Sequence, residues 1–211
     1  MKNFKWFSRS WMSLVYLFLY LPIIVLVVFS FNEGRPTRWN GFTLDNYAEL
    51  FQNQQVIDGL LASLRVAAIT AVLSVVIGTL IAFVLVRYRG FVGKTLFSGM
   101  ANTPLVMPEV VLGLSLLIVF KDLFKVEGGA YWTIILGHTL LGAAYASVVI
   151  KARLSELSLT YEEAALDLGA RPLQVFFLVT LPMIAQSLMS AALLGFTISF
   201  DDVVVAVVLR G

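Results

Sequence analysis

Three carboxylates stand inside or at the edge of long apolar runs: Glu109, Asp201 and Asp202. A carboxylate at bilayer depth is costly unless it is paired or hydrated, so each must face water, a basic group or a cation. Glu109 follows Pro104 and Pro108, whose rings free backbone carbonyls that need partners inside the protein or in a wet cavity. Two readings of Glu109 stay open. It sits near the interface or pairs with an arginine of another chain, or it lines a translocation path. Asp201 and Asp202, with Ser199 just before them, mark either a membrane boundary in contact with water or an acidic patch facing the route of a cation. His138 is the single histidine, and within an apolar run it reads as an interhelical hydrogen-bond partner rather than a ligand. No Ser or Cys neighbours it in a way that suggests a nucleophile and base. Cys is absent, which excludes disulfides and Cys/His metal clusters, and no GxxxxGK[ST] phosphate loop occurs.

A second chemistry-bearing stretch runs from Thr160 to Pro182. Tyr161, Ala164, Ala165 and Leu168 fall at i, i+3, i+4 and i+7, one face of a helix, and Glu162, Glu163 and Asp167 leave that face. Thr160 with Glu163 three residues on fits a capping box. Gly169 suits the left-handed residue that ends a helix, and Pro172 suits the first position of the next. The spacing predicts two short helices joined by a turn, then a hydrophobic run.

The elements that must position these groups are membrane helices. Of 211 residues 59% are hydrophobic and 13% charged, with mean hydropathy +0.89; soluble domains are about a quarter charged. About 20 residues cross a bilayer, which predicts spans over about 11–31, 66–86, 96–120, 132–150 and 183–200. The first is read as an uncleaved span with Pro22 as a kink, since Ser30-Phe31-Asn32 offers no small-residue cleavage site. Between the first two spans lies a polar connection to about Leu61, in which 45–51 and 56–64 read as short interfacial helices. Trp39 and Tyr47 suit the headgroup level there. Residues recurring every four positions (Thr70, Ser74, Gly78 and Ala82, then Ser187, Ala191, Gly195 and Ser199) form stripes that let helices approach closely. Lys2, Lys5, Arg9, Arg87, Arg89, Lys94, Lys151, Arg153 and Arg171 lie on the Met1 side of the spans, against Arg35, Arg38, Arg65, Lys121 and Lys125 on the other. The excess belongs in the cytoplasm, so the N-terminus and the 160–182 segment are expected there.

Glu163-Ala164-Ala165, three residues, Gly169, nine residues, then Val179-Thr180-Leu181-Pro182 resembles the EAA loop of binding-protein-dependent ABC importer permeases. The one departure is Val179, where that family usually has Ile. The resemblance implies an all-α polytopic membrane helix bundle, the transmembrane domain of a type I ABC importer, over residues 1–211. It implies a cytoplasmic coupling helix seated in a groove of an ATPase subunit, with Glu162, Glu163, Ala164, Ala165, Asp167 and Gly169 as coupling residues. Such permeases usually have six spans. Five are read here, and the chain is taken as truncated before the sixth.

Pro104-Leu-Val-Met-Pro-Glu109 with Gly113-Leu-Ser-Leu-Leu117, the Glu162-to-Gly169 segment and Phe196-to-Val204 narrow the resemblance to the spermidine/putrescine permease group. Polyamines are polycations, and carboxylates give ammonium groups their strongest hydrogen bonds. Glu109, Asp201 and Asp202, with Ser199, are therefore the expected substrate route. The implied protein is a transport subunit in a bacterial inner membrane, not an enzyme, with no cofactor of its own and ATP bound by its partner. The implied partners are an ATP-binding subunit dimer, a second and different permease chain, a periplasmic binding protein and the lipid bilayer, with no nucleic acid. Permeases for iron, sulfate, phosphonates or opines share the loop. An ion-coupled secondary transporter could also use carboxylates in spans, but gives no reason for the Glu163-to-Pro182 spacing.

Overall fold

The computed structural model describes residues 2–34, 38–88, 90–126 and 131–210. Arg35 and Arg89 of the charge count, part of the loop expected over 121–131, and Gly211 lie outside the described residues. The chain divides into two compact units, Met1–Leu60 and Leu61–Gly211. Among the described residues the regular structure is helical, apart from one isolated antiparallel bridge between Asn32 and Phe42.

In the first unit α1 runs from Lys2 to Phe29, and Pro22 sits inside it without ending it. The helix is apolar, and its segment Trp6–Phe29 is long enough to cross a bilayer. The connection that follows folds back on the end of α1. Phe29 meets Trp39 edge to face, Phe31 lies against Phe42 and Tyr47, and the Tyr47 hydroxyl is 2.6 Å from Ser30 Oγ. Asn32 is buried and bonds Arg38 O and Asn40 N at 2.8 and 2.7 Å. Trp39 and Tyr47 thus pack on this connection as well as suiting an interface. The expected helix at 45–51 appears as α2, Asp45–Gln52.

The helix α3 spans Gln54–Arg87 without interruption. The separate interfacial helix expected over 56–64 is instead its first part, because no proline lies between Gln54 and Arg87 and Gly59 alone does not break a helix. At about 1.5 Å per residue α3 is longer than a bilayer's hydrocarbon core requires.

In the second unit α4 (Lys94–Val106) and α5 (Glu109–Ile118) replace one straight third span. They meet at 115°. Pro108 makes this break, since α4 carries Pro104 within it and ends only where Met107 and Pro108 turn extended. A π-helical turn, Val119–Leu123, continues α5. The fourth span is α6, Tyr131–Glu156, the most enclosed helix. Then come α7 (Thr160–Asp167), α8 (Pro172–Val175), a π-helical turn (Phe176–Thr180), α9 (Leu181–Met183), α10 (Ala185–Asp201) and α11 (Val204–Arg210). The fifth span begins earlier than expected: Pro172–Met183 and Ala185–Asp201 are one apolar path bent by 72°. Among the described residues three helices are long and apolar enough to cross a membrane, or up to five spans if each bent pair counts as one.

Within a bilayer, helices associate by close packing and polar contacts, because lipid is as apolar as leucine. The two small-residue stripes do this work. Thr70, Ser74, Gly78 and Ala82 of α3 are all buried, as are Ala191, Gly195 and Ser199 of α10. A Cβ added at Gly195 would lie 3.6 Å from Ser74 Cβ, and one at Gly78 would lie 2.6 Å from Ala146 Cβ on α6. Around this junction Ala82, Ala146, Ile150, Leu154, Ile184 and Ala191 form one core. A second core joins Leu112 of α5 to Val205 and Leu209 of α11.

Candidate functional site

The segment after α6 is built as the spacing suggests at its turn and differently at its start. Gly169 adopts φ +87°. Its N–H bonds Leu166 O at 2.9 Å and the Ala170 N–H bonds Ala165 O at 3.1 Å, the paired bonds of a Schellman C-cap. A Cβ at Gly169 would meet no atom within 4 Å, so glycine is required by the backbone angle alone. Pro172 opens α8, and the Arg171 N–H is accepted by Gln174 Oε1 at 2.8 Å. The capping box expected of Thr160 and Glu163 does not form. The Thr160 N–H goes to Ser158 Oγ at 3.3 Å, and the Glu163 N–H already bonds Leu159 O at 2.9 Å. Helical geometry thus reaches back to Leu159 and leaves Thr160 inside the first turn, where its side chain cannot cap.

The helix α7 is amphipathic the wrong way round for a helix covering its own core. No residue of it is fully buried. Tyr161 is 56% exposed and Leu168 89%, with Ala164 also exposed. Three of the four residues of the apolar stripe read from the sequence, Tyr161, Ala164 and Leu168, are thus exposed, and Leu173 and Leu178 beyond the turn are exposed as well. Glu163 and Asp167 are exposed with it, while Ala165 is half-buried.

The group facing inward is Glu162. Its Oε1 accepts from Arg87 Nε at 3.0 Å and from Thr180 Oγ1 at 2.9 Å, and Arg87 Nη2 lies 2.8 Å from it as an ion pair. Arg87 Nη1 also reaches Leu154 O at 3.4 Å. Arg87 and Glu162 retain 9% and 16% side-chain exposure, so the pair is drier than a surface salt bridge. Sequence reasoning named Glu162 and missed Arg87 and Thr180. An arginine closing an apolar run gives no local sign of a partner 75 positions away.

The acidic groups at the other sites separate. Glu109 is exposed at the first position of α5, where the bend places it at a helix N-terminus. Asp201 is exposed at the last position of α10. Asp202 turns inward: its side chain is 4% exposed, Oδ1 accepts the Val205 N–H at 2.9 Å, and Oδ2 lies 3.7 Å from His138 Nε2. His138 Nδ1 is 2.8 Å from Ser199 Oγ. The histidine therefore does bridge helices, α6 to α10 and to the turn before α11. It also has the Ser neighbour that the sequence did not reveal. The trio has the composition of a hydrolytic triad, but Ser199 is 5% exposed in the interior of α10. A nucleophile must reach its substrate, and this serine faces the imidazole and the core. Ser199, Asp202 and His138 are brought together; Glu109 and Asp201 are not part of that cluster. Among the described residues no group of His, Cys, Asp and Glu is placed to hold a metal ion.

Comparison with known proteins gives this geometry its context. Residues 74–210 match the family model described as binding-protein-dependent transport system inner membrane component. The chain belongs to that family. This permease is 44% identical over 199 residues to the putrescine transport system permease protein PotI of Escherichia coli (strain K12), covering 92% of the chain and 71% of the relative. It is 37% identical over 209 residues to the spermidine/putrescine transport system permease protein PotC of Haemophilus influenzae, covering 98% and 80%. Among solved structures, an amino acid ABC transporter with histidines matches 78% of the permease and 73% of its own chain, at TM-score 0.53 and 19% identity, a likeness of fold. The EAA resemblance is thus the family, and the permease is an inner-membrane transport component rather than an enzyme by kinship.

Proposed function

We propose that this permease is the polyamine-translocating subunit of an ATP-driven importer, carrying putrescine or spermidine delivered by a periplasmic binding protein. The observation that supports it most is the 44% identity to a putrescine permease over 92% of the chain, joined to a helix α7 whose apolar stripe is mostly exposed. Tyr161, Ala164 and Leu168, with Glu163 and Asp167 beside them, form the surface an ATPase subunit would cover. ATP is bound by that partner, since the chain has no phosphate loop, and the permease needs no cofactor of its own. A second, different permease chain completes the path. The N-terminus and α7 lie in the cytoplasm, a reading supported by the excess of Lys and Arg on that side.

In the substrate path the exposed carboxylates Glu109 and Asp201 serve as ammonium acceptors. Asp202 and Ser199 act behind them, fixing the end of α10 through His138. The test is radiolabelled putrescine uptake in cells lacking their own polyamine import, with the permease expressed beside its ATPase, second permease and binding protein. Saturable ATP-dependent uptake and co-purification of the ATPase are expected. Transport of sulfate or iron instead would keep the permease and overturn its substrate. Labelling of an Ala165→Cys variant from outside intact cells would overturn the orientation.

A further inference from the structure

A helix that offers its apolar side to a partner needs some other attachment to its own bundle. In α7 no residue is fully buried, so packing does little to hold it. Among the described residues, its polar attachment to the rest of the bundle runs through a single carboxylate oxygen. Glu162 Oε1 accepts one hydrogen bond from Nε of Arg87, the last residue of α3, with Nη2 of the same guanidinium at ion-pair distance, and one from Thr180, the last residue of the π-helical turn within the fifth span. Through Nη1 the same guanidinium reaches the Leu154 carbonyl in the final turns of α6. One partly dry ion pair thus ties α7 to the ends of three transmembrane elements.

Two further observations bear on it. Thr180 is 1% exposed, so its hydroxyl cannot follow α7 unless the helix that carries it moves as well. The π-helical turn Phe176–Thr180 stands next to the 72° bend before α10, and such turns recur where a helix must deform for function.

We infer that Arg87 and Thr180 are positioning residues for energy coupling: through Glu162 they convert displacement of α7 into displacement of α3 and of the fifth span. Arginine suits this task because its planar fork fixes direction as well as distance. Both side chains are nearly enclosed within the chain's own packing. The inference rests on the importer reading above and adds to it the route by which motion enters the membrane helices.

The test uses the whole reconstituted complex in proteoliposomes, with radiolabelled putrescine as the probe, and reads ATP hydrolysed per putrescine transported. Subunit stoichiometry and thermal stability are measured alongside. Arg87→Glu and Glu162→Arg each raise the ratio at least tenfold while the complex still assembles. The double exchange, Arg87→Glu with Glu162→Arg, returns it to within about threefold of wild type. Thr180→Val, isosteric but without the hydroxyl, raises it severalfold, and Arg87→Lys is intermediate. A merely structural ion pair would lower stability and leave the ratio unmoved. Ratios within twofold of wild type in assembled single variants, or a double variant no better than either single, overturn the inference. If the charge reversals do not assemble, Glu162→Gln and Thr180→Val decide it on the same ratio. Absence of putrescine uptake by the wild-type complex would instead strike the importer reading.

Discussion

Replacing Gly78 by alanine tests whether close approach of α3 and α6 holds the bundle together. The added Cβ would lie 2.6 Å from Ala146 Cβ, 2.9 Å from the Ser147 backbone nitrogen and 3.1 Å from the Ala143 carbonyl oxygen. Apolar atoms rest at about 3.5–4.0 Å, so the two helices must part by roughly 1 Å. None of the three neighbours is the end of a flexible side chain, and local yielding is closed off. Overpacking of this kind costs about 1–3 kcal/mol, here at the upper end, while alanine recovers about 1 kcal/mol of helix propensity over glycine. The net expectation is destabilisation by about 2 kcal/mol, a shift on the order of 30-fold in the unfolding equilibrium. Gly99 in α4 is the matched control, because a Cβ there meets nothing within 4 Å. Gly99→Ala should be neutral or stabilising by up to about 1 kcal/mol. Reversible denaturation in detergent micelles, followed by circular dichroism, compares the two. Equal stability of Gly78→Ala and Gly99→Ala would refute the claim that this contact is close-packed.

Gly169→Val places a β-branched residue at φ +87°, costing about 1–3 kcal/mol of backbone strain; it should uncouple ATP hydrolysis from transport, whereas Gly169→Asn, which tolerates this conformation, should retain coupling. His138→Ala removes the buried group between Ser199 and Asp202 and should cost about 2–3 kcal/mol in the same denaturation measurement; Ser199→Ala should cost about 1 kcal/mol, and wild-type stability of both would show that the cluster does not join α6 to α10. Glu109→Gln and Asp201→Asn should each lower putrescine uptake severalfold with assembly and basal ATP hydrolysis unchanged, and wild-type uptake in both would remove them from the substrate route. Asp202→Ala should lower stability as well as uptake, because it removes the acceptor of the Val205 N–H.

Much of this permease was legible in its residue order, for a physical reason. In a bilayer every span must satisfy its own backbone hydrogen bonds, so helical class follows from runs of apolar residues. Stripes such as Thr70-Ser74-Gly78-Ala82 say which face is close-packed, because only small side chains permit the approach. The turn at Gly169 was equally local: a left-handed cap selects glycine whatever surrounds it. The boundary of α3 was missed because 56–64 read as a separate interfacial helix, although nothing there breaks it from the span that follows.

What the fold alone decided are relations across long separations. The sequence shows an outward-leaving carboxylate at Glu162; only the packing reveals that it points inward, to Arg87 and Thr180, while most of the apolar stripe is left exposed. Periodicity gives the faces of a helix but not which of them meets the bundle. Likewise Asp201 and Asp202 are adjacent in the chain and chemically alike, yet the end of α10 falls between them. One carboxylate is left exposed and the other is turned against His138, a choice made by where a helix stops and not by the residues themselves.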